Sequence, residues 1–145
     1  MSYAEVCLLK AEAALRGWNG AGDAKANYLA GIKASFEAER AMVSDASLYS
    51  TANDNTYMTT GKVEWKGDAD FETHLEQIIT QKWLALYPNG TEAWTEFRRT
   101  GYPKLTPVKV SMESTINAAN GEFVKKLRYV DDELRENPNA SDKSL

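Results

Sequence analysis

The chain alternates between segments with helical hydrophobic spacing and polar segments without it. Over residues 3–15, apolar residues recur every three or four positions, which predicts a helix with one buried face. A second stripe of this kind covers residues 24–42, and Asp23 before it is a typical N-cap. The short Gly-containing connection between the stripes predicts an antiparallel helical hairpin over residues 1–43.

The hairpin follows the spacing of a tetratricopeptide-like repeat. The residues that match the repeat are Leu8, Ala11, Leu15, Ala24, Tyr28 and Gly31. Glu12 departs from it, because a small residue is typical at that position. No second copy of the pattern occurs in the sequence, and repeats of this kind need neighbours to cover their apolar faces. The hairpin is therefore expected to pack against the rest of the chain or against a partner segment.

Residues 44–69 form the longest polar segment, in which Ser, Thr, Asn, Asp and Gly dominate and no helical or strand period persists. We interpret this segment as a polar surface loop, and a connection of this length is often functional. Residues 70–102 then predict a helix-turn-helix, with Asp70 capping its first helix and Thr91 capping its second.

The last segment, residues 103–145, has weaker signals. It is predicted to be extended, with one or two helical turns around residues 111–121 and a polar tail. Together these patterns predict a mainly α fold with long loops and a single domain.

Composition excludes several classes of protein. The chain has 145 residues, a net charge of −4 and a pI of about 5.1, so it offers no electrostatic attraction to nucleic acid. It contains no run of apolar residues long enough for a membrane span. Charged residues interrupt the apolar stretch at the N-terminus, so that stretch is not a signal peptide.

The sequence provides little for catalysis or metal binding. Cys7 and His74 are the single Cys and the single His, so neither a disulfide nor a zinc site can form from them. Cys7 is predicted to be a buried small hydrophobe. The acidic pairs lie in polar segments, where a carboxyl group stays solvated, which argues against a glycoside hydrolase. No catalytic residue, cofactor or metal ligand is therefore expected.

The stretch Gln81–Leu105 combines an unusual number of aromatic residues with an Arg pair. Its rings at Trp83, Trp94 and Phe97 follow the apolar stripes and are predicted to pack in the core. Arg98 and Arg99 end a helix, where positive charge is favoured, so one Arg is expected to bind helix carbonyls or a carboxylate.

Three aromatic residues lie in the polar loop: Tyr49, Tyr57 and Trp65. Exposed rings flanked by Asn, Asp and Thr are typical of a sugar-binding face, where a ring stacks on a pyranose and polar groups bind its hydroxyls. The alternative is that the rings fold back and attach the loop to the helices. Both interpretations stay open at this point.

Two blocks of the sequence identify a family resemblance. The block QKWLALYPNGTEAWTEFRRTGYPKL, residues 81–105, resembles the signature of SusD/RagB-like proteins, particularly the SusD-like type 2 branch. The block SYAEVCLLKAEAALRGW, residues 2–18, resembles another segment of the same family. The two blocks stand in the family's order and frame nearly the whole chain.

The resemblance implies a fold and a function. It implies tetratricopeptide-like helices in a larger superhelix, and a lipoprotein on the outer membrane of Bacteroidetes-type bacteria. It further implies that the protein binds glycans or other nutrients and passes them to a TonB-dependent SusC-like transporter, without enzymatic activity or a cofactor. The alternative interpretation is a helical protein-interaction module that binds no sugar.

Family members are longer than this chain and carry a signal peptide and a lipidated Cys, whereas Cys7 lies inside a predicted helix. We therefore expect the chain to correspond to a C-terminal portion, with its only membrane attachment through an anchor outside it. The family's glycan site is built largely from preceding loops, so no binding residue is transferred from the resemblance.

Overall fold

The computed structural model describes residues 1–45, 50–110, 112, 123–124, 127, 129–137 and 139. Within these residues the chain is helical and contains no strand. The helices are α1 (Tyr3–Leu15), α2 (Ala24–Met42), α3 (Asp54–Met58), α4 (Phe71–Ala85), α5 (Gly90–Thr100) and α6 (Asp131–Glu136), with a 3-10 turn at Thr51–Asn53 before α3. The prediction of a mainly α fold is confirmed.

The chain divides into two compact units, Met1–Pro103 and Lys104–Leu145. The first unit contains α1 to α5, and the second contains α6. The sequence did not predict α6, which is only six residues long and therefore too short to show a hydrophobic period. The helical turns expected around residues 111–121 lie outside the described residues, except for Met112.

Side-chain caps set the helix starts. Ser2 and Glu5 form a reciprocal capping box at α1, and Asp23 caps α2 by accepting a hydrogen bond from the Ala26 amide at 2.7 Å. Asp70 caps α4 in the same way. These starts are where the sequence predicts them, because a cap is a contact between residues three apart.

Two local predictions are wrong. The N-cap of α5 is Asn89 rather than Thr91, because the Asn89 side chain accepts a hydrogen bond from the Glu92 amide at 3.3 Å. The polar segment, expected to lack helix, contains the 3-10 turn and α3. Helix α3 has five residues, so no period shows in its sequence, and its Asp54 forms an ion pair with Arg40 of α2.

The core lies between α1, α2 and α4. Its fully buried residues are Leu8, Ala11, Tyr28, Ile32 and Ile78, each no more than 2% exposed. Most of the residues that match the tetratricopeptide-like repeat thus lie at the interface of α1 and α2. Cys7 is buried, as predicted for a small hydrophobe.

Candidate functional site

The part of the structure with candidate binding residues is the segment of residues 54–66, called here the aromatic loop. It contains α3, Tyr57 and Trp65. Tyr49, the third aromatic residue predicted for this region, lies outside the described residues. The aromatic loop passes over the core formed by α1, α2 and α4, and its Met58, Val63 and Trp65 pack against that core.

Trp65 is half-buried between two other rings. Its indole stacks parallel to the His74 imidazole, with ring centroids 4.2 Å apart and an interplanar angle of 7°. The Tyr28 ring lies 5.2 Å away at an angle of 51°. Trp65 therefore attaches the loop to the helices, as one of the two interpretations expects. Its stacking on a sugar stays a prediction, limited to the part of the ring that His74 and Tyr28 leave accessible.

Tyr57 is more exposed, at 36%. Its ring meets the edge of Phe36 with centroids 5.3 Å apart, and its hydroxyl donates a hydrogen bond to Gln81 Oε1 at 3.2 Å. The ring is thereby held in one orientation while part of it faces solvent. Of the described aromatic candidates, Tyr57 is the better placed for an external ligand.

A row of polar side chains on α4 holds the aromatic loop. This polar row consists of His74, Gln77 and Gln81, which are spaced three and four residues apart and so lie on one face of the helix. All three are buried, with no more than 8% exposed. The sequence did not predict the polar row, because polar residues at these positions of a helix are ordinary until the loop that they bind is known.

Gln77 occupies the centre of the polar row and binds the loop backbone three times. Its Nε2 donates to the carbonyl oxygens of Lys62 at 3.0 Å and Glu64 at 2.6 Å. Its Oε1 accepts a hydrogen bond from the Lys66 amide at 3.3 Å. One side-chain amide thus provides partners for three backbone groups of a segment that belongs to no strand.

Two more side chains complete the attachment of the backbone. His74 Nε2 lies 2.6 Å from the Lys66 carbonyl oxygen, and because a carbonyl only accepts, the imidazole is the donor. The fully buried Tyr28 donates its hydroxyl to the Val63 carbonyl oxygen at 2.7 Å. The backbone of residues 62–66 is therefore held in one conformation by side chains of α2 and α4.

A second polar assembly, the charged cluster, joins α1, α4 and α5. It consists of Glu12, Arg16, Lys82, Glu96 and Arg99. Arg99 donates to both carboxylate oxygens of Glu12 and to Glu96, each at 2.7 Å. Lys82 Nζ lies 2.9 Å from the Glu96 carboxylate, and both of these side chains are buried.

The charged cluster answers two questions raised by the sequence. Glu12 departs from the tetratricopeptide-like pattern because it is the buried carboxylate that receives Arg99. The prediction that one Arg of the pair binds a carboxylate is confirmed for Arg99. Arg98 instead lies over the Trp94 ring, 4.7 Å from its centroid. The rings predicted to be core residues, those of Trp83, Trp94 and Phe97, are half-buried.

Comparison with known proteins decides the family. The chain matches the SusD-like family, described as SusD and RagB outer membrane lipoprotein, over residues 1–145. The chain belongs to this family. No match to a protein of curated function was found.

Solved SusD homologues from three bacteria are similar to this SusD-like chain. A homologue from Bacteroides thetaiotaomicron is 38% identical with a TM-score of 0.72, and one from Bacteroides ovatus is 41% identical with a TM-score of 0.69. A chitin-binding homologue from Flavobacterium johnsoniae is 40% identical with a TM-score of 0.65. The alignments cover 94%, 92% and 91% of this chain but only 31%, 30% and 30% of the respective homologues.

Two further findings bear on the chemistry of the SusD-like chain. In the part of the chain that the structure describes, no group of three or more His, Cys, Asp or Glu residues could hold a metal ion. No helix among the described residues is both long and apolar enough to cross a membrane.

Electrostatics favour the ionised form of both buried carboxylates in the charged cluster. Burial raises the pKa of Glu12, but hydrogen bonds from Arg99 and Arg16 outweigh it, so the pKa lies below its ordinary value. Burial likewise raises the pKa of Glu96, and Arg99 and Lys82 outweigh it. The hydrogen bonds that Arg99 donates to Glu12 raise the pKa of Arg99. The SusD-like signature thus includes an Arg with a structural task.

These pKa shifts predict acid sensitivity. A carboxyl group whose pKa is lower in the folded state stabilises the fold above its unfolded pKa, and this contribution is lost as pH falls through the folded pKa. We therefore expect the free energy of unfolding to fall as pH drops from about 5 to 3. Glu12→Gln lacks this carboxyl group, so the difference between its free energy of unfolding and that of the unaltered chain should shrink over the same pH range. Urea unfolding at each pH would measure this difference. Glu39→Gln controls for the loss of one negative charge, and a constant difference would contradict the assignment.

Proposed function

We propose that the protein is a glycan-binding component of an outer-membrane nutrient uptake system. It works as a binding protein rather than an enzyme and passes its ligand to a TonB-dependent SusC-like transporter. The observation that carries this proposal is the family match over residues 1–145, and the family's description as outer membrane lipoprotein supports an outer-membrane location. The similarity to a chitin-binding homologue supports a polysaccharide as the ligand.

We propose that the aromatic loop contributes to glycan binding through Tyr57 and the accessible part of Trp65. A partly exposed tyrosine ring offers an apolar face for a pyranose, and the surrounding Asn, Thr and Lys side chains are exposed. Since the polar row already orders the loop, a ligand there would not have to order the loop backbone on binding. Tyr49 belongs to the same sequence-based proposal.

The test is binding to a panel of soluble polysaccharides that includes glycol chitin, measured by retardation in native gels. Tyr57→Ala is expected to weaken binding about tenfold at most, because an aromatic contact contributes about 0.5–1.5 kcal/mol. Trp65→Ala should also weaken binding, and thermal unfolding must verify that this variant folds, because Trp65 packs on the core. Unchanged binding in both variants would remove the loop from the site.

Tyr87→Ala is the matched control, since Tyr87 is exposed and lies outside the aromatic loop, between α4 and α5. It should bind like the unaltered chain. If the unaltered chain binds no polysaccharide of the panel, the proposed function is contradicted for the region that this chain covers.

A second candidate function, a helical interaction module without sugar binding, is favoured by a different observation. Large apolar side chains of the α1–α2 hairpin are exposed, among them Tyr3, Trp18 and Met42. Exposed apolar groups of this size are typical of surfaces that contact another protein. This alternative requires a stable complex with a purified SusC-like transporter and no binding to the polysaccharide panel, whereas the first proposal requires polysaccharide binding.

A further inference from the structure

We propose that Gln77 is a positioning residue for the aromatic loop. It holds the backbone of residues 62–66 in the conformation in which Trp65 stacks on His74, and through that backbone it sets the affinity for a glycan. The inference rests on the proposed function in so far as it concerns affinity. Gln77 lies on α4, beneath the loop, and is itself buried.

The loop backbone depends on side chains because it belongs to no strand and, after α3, to no helix. The carbonyl groups of Lys62, Val63, Glu64 and Lys66 all accept hydrogen bonds from side chains of α2 and α4. Backbone polar groups that are removed from water need such partners, and each one left without a partner destabilises that conformation. Gln77 is the side chain that binds the carbonyl groups of Lys62 and Glu64 and the amide of Lys66.

The chemistry of the site requires a primary amide. Gln77 donates twice and accepts once, so it can serve two carbonyl groups and one N–H from a single position. A glutamate would keep the acceptor but offer no donor to the carbonyl groups. A methionine would fill a similar volume but form none of these hydrogen bonds.

The position of Gln77 within the polar row explains why its effect should reach the aromatic rings. His74, one turn before it, stacks on Trp65, while Gln81, one turn after it, binds the Tyr57 hydroxyl. Gln77 binds the backbone at Glu64 and at Lys66, the residues on either side of Trp65, and also at Lys62. Loss of its hydrogen bonds should therefore release Trp65 from its stack, whereas Tyr57 keeps its own partner.

Release of the loop has a consequence for binding. A loop that is ordered before binding spares the complex the entropy cost of ordering it, whereas a released loop must be ordered by the ligand. The expected result is weaker binding even though Gln77 lies beneath the loop rather than on its outer surface. Weaker binding without a contact to the ligand distinguishes a positioning residue from a residue that binds the ligand directly.

The test uses Gln77→Met in the full chain and two measurements. The first is amide hydrogen exchange by NMR, in which the Lys66 amide, the donor to Gln77, should exchange at least tenfold faster while the core amides of α1 and α2 stay as slow as before. The second is affinity for the polysaccharide that the unaltered chain binds best in the panel, which should fall about tenfold. Leu84→Ala, an exposed change on the same helix, is the control and should alter neither quantity.

A double-variant cycle distinguishes positioning from general destabilisation. If Gln77 acts through Trp65, Gln77→Met should lower affinity in the unaltered chain but not further in Trp65→Ala. A purely structural effect would lower affinity equally in both backgrounds and would overturn the proposal, as would unchanged exchange of the Lys66 amide. If Gln77→Met fails to fold, Gln77→Asn replaces it, because its shorter amide cannot reach both carbonyl groups.

Failure of the proposed function gives a different result. If the unaltered chain binds no polysaccharide, the glycan-binding proposal fails and the effect on affinity fails with it. The exchange measurement needs no ligand, and it then decides by itself whether Gln77 positions the loop.

Discussion

Arg99→Met should lower the free energy of unfolding by about 2–4 kcal/mol, because it removes the cation that bridges two buried carboxylates. Glu12 and Glu96 are 6% and 5% exposed, so water cannot replace the lost hydrogen bonds. Each keeps one cationic partner, Arg16 or Lys82, and the Arg99 side chain is 41% exposed. The expected loss is therefore smaller than for a fully buried ion pair. Equilibrium urea unfolding with circular dichroism would measure it.

Arg98→Met is the matched control, because the same change is made one residue earlier in the same helix. Arg98 lies over the Trp94 ring on the surface, and an exposed cation–π contact contributes about 0.5–1 kcal/mol. We expect Arg98→Met to cost less than about 1 kcal/mol. Equal losses in the two variants would show that the charged cluster does not join α1, α4 and α5 energetically.

Gly31→Ala is the second substitution with a large expected effect, a loss of about 1–3 kcal/mol through overpacking. A Cβ atom at Gly31 would lie 2.5 Å from Leu8 Cγ and 2.9 Å from Leu8 Cδ2, and Leu8 is completely buried. Alanine has a more favourable helix propensity than glycine by about 1 kcal/mol, so the destabilisation by the steric clash with Leu8 must exceed that gain. We expect it to do so, because α1 and α2 must separate to admit the methyl group. Thermal and urea unfolding of the variant would test this.

Gly90→Ala is the control for Gly31→Ala. Gly90 is the first residue of α5, and no atom lies within 4 Å of a Cβ built there. This variant should be as stable as the unaltered chain or more stable by up to about 1 kcal/mol. Leu8→Ala should cost less in the Gly31→Ala background than in the unaltered chain, because the new methyl group then has space. Simple additivity would contradict the proposed close approach.

The sequence located α1, α2 and α4 closely and placed the chain in its family. These helices are long enough for a hydrophobic period to show, and their caps Ser2, Asp23 and Asp70 act on residues only three positions away. The shorter elements were harder to predict from the sequence. Helix α3 is held through Arg40 of α2, a contact that no local pattern reveals, and α5 is capped by Asn89 rather than by the predicted Thr91.

The candidate site was only partly predictable for the same reason. The sequence proposed Tyr49, Tyr57 and Trp65 from their polar surroundings, and those surroundings left two interpretations open. The structure adds that Trp65 stacks on His74, which attaches the loop to α4. It also supplies the polar row, whose residues look like ordinary interior positions of a helix until the loop that they bind is in place.

Taken by itself, the sequence determined the long helices, the caps Asp23 and Asp70, the buried state of Cys7 and the family, because all of these depend on spacing between near neighbours or on matching blocks. Only the tertiary structure decided the long-range partner of Glu12, which is Arg99, 87 residues further along the chain. It likewise decided that Gln77 serves the loop backbone. A buried polar side chain is stable only with a partner, and which partner it meets depends on how the helices and loops approach one another.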